Sequence, residues 1–76
     1  MICEVIGIKK GSFQDRTTGK TIYYCRVYYV YEDEKTEGMA CGIEKIAYQD
    51  SDSIKVGDKV EFLYNRYGKV DSIVKR

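Results

Sequence analysis

The sequence predicts an all-β domain whose single sheet folds back on itself to bury a core. Three observations predict it. Residues 19–31, GKTIYYCRVYYVY, are dense in aromatic and β-branched residues and lack proline, which is the composition of an extended, pleated strand. Shorter runs of similar character are separated by turn signals rich in Gly, Asp and Ser. No amphipathic stretch is long enough to lay a helix across a sheet, so the faces of the sheet have to meet each other.

Residues 2–9, ICEVIGIK, read as the first strand, with Ile2, Glu4, Ile6 and Ile8 on one face and Cys3, Val5, Gly7 and Lys9 on the other. Neither face is clean, and Gly7 points to a bulge or a close backbone approach. Residues 10–20, KGSFQDRTTGK, read as a loop of turn formers. Phe13 inside it either staples the loop to the core or is offered to a ligand, and Arg16 and Lys20 flank the tip. In the long strand that follows, alternate side chains face opposite sides. Tyr23, Cys25, Val27, Tyr29 and Tyr31 form an uncharged set that reads as the core side. Ile22, Tyr24, Arg26, Tyr28 and Val30 form the other, with Arg26 about 7 Å along the strand from each neighbouring tyrosine.

An acidic turn over residues 32–35 leads to a third strand over residues 36–43, weakened by Gly38 and Gly42. Ile43, Ile46 and Ala47 have helical spacing, which predicts one or two helical turns within residues 43–49, followed by a polar connection over residues 50–53. A tight turn at Val56-Gly57-Asp58 feeds a strand with Val60, Phe62 and Tyr64 on one face. Asn65-Arg66-Tyr67-Gly68 is a hairpin signal, with Gly68 placed to take a positive φ. In the last strand Val70, Ile73 and Val74 break strict alternation, which implies a bulge. The order fits a five-stranded OB-like barrel with at most a short helical piece between strands 3 and 4. An SH3-like barrel is the competing five-stranded closure.

Seventy-six residues make one domain, 1–76, too small to enclose a large catalytic cavity. No apolar run is long enough for a membrane helix, and the charged N-terminal stretch does not fit a signal peptide. Cys3, Cys25 and Cys41 are odd in number and widely spaced, and histidine is absent. This fits neither a disulfide framework nor a zinc pattern; the three read as buried or half-buried apolar residues in a reducing cytoplasm. Nothing points to a cofactor: there is no Gly-rich phosphate loop, no cysteine with a base partner and no distinctive acid pair, so the chain reads as non-catalytic. The Asp50-Ser51-Asp52 tract reads as a surface loop.

Charge is unevenly distributed. Residues 1–31 carry a net +3, residues 32–61 a net −5 and residues 62–76 a net +3. If the two ends meet, they make a positive face on a nearly neutral protein. In the OB architecture the binding face lies on strands 2 and 3, between the 1–2 and 4–5 loops. Those segments carry Phe13, Arg16 and Lys20; Tyr24, Arg26 and Tyr28; and Arg66, Tyr67 and Lys69. Aromatic rings interleaved with cations suit single-stranded nucleic acid, because bases stack on rings while phosphates meet cations. These nine residues are the expected interface.

The stretches GKTIYYCRVYYV and VGDKVEFLYNRYGKV, followed by a short basic tail, resemble the gene V type helix-destabilising proteins of filamentous phages. The resemblance covers a little under half of the chain. It implies an OB-fold, a phage or mobile-element setting and binding of single-stranded DNA with little sequence preference. It points to Tyr23 or Tyr24 at the start of the strand and to Tyr67 at the hairpin tip. It also implies a homodimer, although residues 32–37 form a short acidic segment where that family has a long dimer-forming wing. RNA instead of DNA stays open, since cold-shock-like barrels use the same stacking surface. The alternative function is an SH3-like interaction barrel with a tyrosine-lined peptide groove. Flanking acids would favour a peptide, and flanking Arg16, Arg26 and Arg66 would favour nucleic acid.

Overall fold

The computed structural model describes every residue from Met1 to Arg76. Five antiparallel strands form one sheet: β1 (Ile2–Gln14), β2 (Thr21–Glu32), β3 (Met39–Ile46), β4 (Lys59–Tyr64) and β5 (Val70–Lys75). A 3-10 helix, Tyr48–Ser53, lies between β3 and β4. The all-β class, the five strands and the short helical piece at this place are as the sequence predicts. The strand order is β3-β2-β1-β4-β5, so β1 is the central strand.

Two contacts show that the sheet is rolled. Tyr29 of β2 and Phe62 of β4 are two strands apart in the order, yet their ring centroids are 5.1 Å apart. The Tyr64 hydroxyl of β4 donates to Glu44 of β3 at 2.7 Å; those strands would be about 14 Å apart in a flat sheet. β3 and β5 nevertheless remain edges with no ladder between them. The result is a partly open barrel, a form that the OB architecture allows.

Rolling gathers one core: Cys3, Val5, Cys25, Val27, Tyr29, Ile46, Ile54, Val60 and Phe62. A bulge in β1 makes this possible. Val5 pairs with Tyr29 and Gly7 with Tyr28, leaving Ile6 as the extra residue. The extra residue bends the strand and shifts its parity. Cys3 and Val5 face inward before it and Ile8 after it, so Gly7, Lys9, Gly11 and Phe13 share the outer face. The expected bulge in β5 is also present: Leu63 pairs with Ser72 but Tyr64 with Val70. Val70 and Ile73 can then both pack against the core.

Several boundaries differ from the sequence reading. β1 runs to Gln14 and not to residue 9, so Phe13 lies in a strand and the loop shrinks to residues 15–20. Gly11, Ser12 and Phe13 are weak strand formers as a group, but they pair with Tyr24, Tyr23 and Ile22, and cross-strand aromatic partners outweigh local propensity. β3 begins three residues later and takes in Ile43 to Ile46, because Glu44, Lys45 and Ile46 find ladder partners in Val27, Arg26 and Cys25. The helical piece moves into the expected polar connection, where Ser51 is buried and the Ser53 hydroxyl donates to the Asp50 carbonyl at 2.7 Å.

That helix packs under one end of the barrel. Tyr48 lies against Tyr23 with ring centroids 5.1 Å apart, and Asp52 accepts from Lys10 at 2.9 Å. Tyr23 therefore covers the helix and stays 58% exposed, outside the core expected for it. Cys3 and Cys25 are buried, and burial pushes both thiols up. Cys41 is exposed, contrary to expectation, because it faces outward opposite Val30 on the edge strand β3.

Candidate nucleic-acid interface

The outer face of β1, β2 and β3 is built in cross-strand rows. Phe13 pairs with Ile22, and Gly11 with Tyr24. The next row is Lys9, Arg26 and Lys45, directly opposite one another on three adjacent strands. After it come Gly7, Tyr28 and Ile43, and then Glu4, Val30 and Cys41. Neighbouring strands are about 5 Å apart, so three cations span about 10 Å of surface. Like charges directly opposite each other oppose sheet formation. None of the three forms an ion pair. The register puts no acid in this row or in either row beside it. The first acids on this face are Glu4, which is held by Lys59 at 3.0 Å, and Glu32 at the far end of β2.

The tyrosines on either side of the row lie over glycines. A Cβ on Gly11 would run into the Tyr24 hydroxyl and the ring carbon that bears it, so this ring fills the space where any side chain on residue 11 would start. At Gly7 the same construction meets Tyr28 Cδ2 at 3.4 Å. Each ring covers backbone on one side and is half-buried. Aromatic cover of a strand glycine is a known way to hold a sheet together, and here it also spreads ring area over the outer surface. Phe13 is 6.3 Å from Tyr24, centroid to centroid, and the Arg26 guanidinium carbon is 5.7 Å from the centre of the Tyr24 ring.

Phe13, Tyr24 and Arg26 thus form one contiguous group with Tyr28 beyond the cation row, as expected. Arg16 and Lys20 sit at the tip of the β1–β2 hairpin, exposed. The tip is ordered locally: the Asp15 carboxylate accepts from the Thr17 amide at 2.8 Å, and the Asp15 amide donates to the Lys20 carbonyl at 2.8 Å.

Arg66, Tyr67 and Lys69 form a separate group. The Asn65 side chain accepts from the amides of Tyr67 and Lys69, and Gly68 takes φ 76°. This turn leaves Tyr67 70% exposed, with the Arg66 guanidinium carbon 5.0 Å from its ring centre. β4 runs antiparallel to β1, so the two hairpins leave β1 in opposite directions. No hydrogen bond, ion pair or ring contact joins Tyr67 to the Tyr24 group. The structure therefore presents two aromatic–cation groups where the sequence suggested one continuous face.

Lys9 and Lys45 complete the row but were absent from the expected interface. The signal was present, since both alternate correctly with Arg26 once the register is known. Their assignment depended on the bulge at Ile6 and the later start of β3. Tyr23, one of two candidates from the gene V resemblance, is occupied by Tyr48; Tyr24 is the one on the outer face.

No group of three His, Cys, Asp or Glu side chains is placed to hold a metal ion. No helix is long and apolar enough to cross a membrane. Comparison of the chain with protein-family models, with curated proteins and with solved structures found no match.

Proposed function

We propose that this domain binds single-stranded nucleic acid without catalysis, through the outer face of β1–β2–β3. The observation that carries the reading is the Lys9–Arg26–Lys45 row between Tyr24 and Tyr28. Three unpaired cations in register weaken a sheet and are compensated when an anion spans them. Rings on either side provide surfaces for bases, and stacking contributes about 1–3 kcal/mol per base. Cations, and not acids, border the aromatic surface, which favours a polyanion over the peptide groove of an SH3-like barrel. The resemblance of two stretches to gene V type proteins points the same way. In this reading Arg16 and Lys20 extend the phosphate track along the hairpin, and Arg66, Tyr67 and Lys69 form a second contact for a longer strand.

The test is a titration with a dT oligonucleotide of about twenty bases, followed by intrinsic tyrosine fluorescence at low and high salt. Quenching that weakens steeply with salt is the expected result. Tyr67→Ala should weaken binding to the long oligonucleotide and leave the melting temperature unchanged, because this side chain makes no core contact. Absence of quenching and of any mobility shift at low salt would overturn the reading.

A further inference from the structure

Next to the cation row, the outer face carries a hollow of different chemistry. Ile6, Tyr28, Tyr29, Cys41, Gly42 and Ile43 line an open depression of about 440 Å³. Ile6 and Ile43 are 50% and 59% exposed, so both side chains are open to a ligand in the hollow. No lining residue is charged, and the polar side-chain groups among them are the Tyr28 and Tyr29 hydroxyls and the Cys41 thiol. Tyr28 and Ile43 belong to the row directly after Lys9–Arg26–Lys45, about 7 Å along the strands. A phosphate on the cation row would therefore bring an adjacent base over the hollow.

We infer that this hollow seats a thymine base, and that the ligand class is therefore single-stranded DNA. This rests on the nucleic-acid reading above. An apolar lining cannot read the hydrogen-bonding edge of a base, but it gains from apolar atoms, and the 5-methyl group is what distinguishes thymine from uracil. Cytosine lacks the methyl, and its amino group meets no carboxylate in the lining. The preference thus arises from burial of the methyl and not from a base-edge code.

The experiment is displacement of labelled dT20 by unlabelled dT20, dU20 and dC20, all with deoxyribose. Burial of one methyl group is worth about a fourfold factor, so dT20 should compete at least about fourfold better than dU20. Ile43→Ser and Ile6→Ser, at exposed positions, should bring that ratio close to one. As a second readout, Cys41 is the exposed thiol while Cys3 and Cys25 are buried. Saturation with dT20 should slow its alkylation severalfold. Equal competition by dT20 and dU20, or unchanged Cys41 alkylation at saturation, would overturn the base site and leave the nucleic-acid reading standing. Failure of all three oligonucleotides to bind would overturn both. A dimer in sedimentation that dissociates in Ile43→Ser would assign the hollow to a second copy of the chain and overturn the thymine site.

Discussion

Two regions of the molecule use similar charged residues in opposite ways. Around β4, β5 and the start of β1, every side-chain charge except Asp71 is partnered. Lys59 holds Glu4 at 3.0 Å, Lys75 holds Asp58 at 3.3 Å, and Arg76 is bound to Glu61. Hydrogen bonding depresses both acids: the Lys55 amide is the main cause at Asp58, and the Arg76 guanidinium at Glu61. On the outer face of β1–β2–β3 the cations stand in register without an acid among them. The first region resolves its charge within the fold. The second leaves its charge unresolved, together with rings and apolar side chains. That difference locates the candidate interface more sharply than net charge, which is only +1 for the whole chain.

The largest change should come from removing the scaffold under both regions. Phe62→Ala, with its ring packed against Tyr29 and 7% exposed, should cost about 3–5 kcal/mol in denaturant unfolding. A near-neutral value would mean that the two sides of the roll do not meet there. Next is Gly11→Ala, which pushes a methyl group into the Tyr24 ring. It should destabilise by about 1–3 kcal/mol and weaken oligonucleotide binding at the same time, since the ring must move. Unchanged binding and stability would show that Tyr24 does not depend on the glycine beneath it.

A smaller effect separates the regions most cleanly. Lys45→Gln should leave the melting temperature equal or slightly higher, because it removes a like-charge neighbour, and should weaken binding. Lys59→Gln should slightly lower the melting temperature, within the modest worth of an exposed ion pair, and leave binding unchanged. If the two substitutions behave alike, the comparison fails.

The smallest effect is at acid pH. Asp58 and Glu61 have folded values below their unfolded ones, so the unfolded chain binds more protons on acidification. Their contribution is fully present above about pH 5 and is lost as pH falls through the lowered folded values. Asp58→Asn with Glu61→Gln should flatten the fall of melting temperature in that window, as thermal scans between about pH 2 and 6 would register.

Much of this was legible from residue order. The alternation through Cys25, Val27 and Tyr29 placed the core face of β2, and Asn65 to Gly68 marked the last hairpin. The outer positions of Tyr24, Arg26 and Tyr28 followed from the same period of two. What was not legible depended on contacts distant in sequence. Residues 10–14 look like a loop until Tyr23 and Tyr24 are set across from them, and Ile43 to Ile46 have helical spacing until β2 supplies a ladder. The bulge at Ile6 reverses the parity of everything after it in β1, so Lys9 could not be assigned to the Arg26 row from local pattern alone. The outward face of Cys41 was not legible either, because an uncharged residue in a strand does not announce which face it takes.

The measurement that tests the central claim most directly is the salt dependence of dT20 binding in the wild type and in a Lys9→Gln, Lys45→Gln double variant. Each phosphate contact on a single strand contributes a slope of about −0.7 to the logarithm of affinity against the logarithm of salt. If both lysines meet phosphates, the double variant should be shallower by about 1.4, with its melting temperature unchanged or raised. Equal slopes would contradict the account, because the cation row would then be a feature of the surface and not of a binding site.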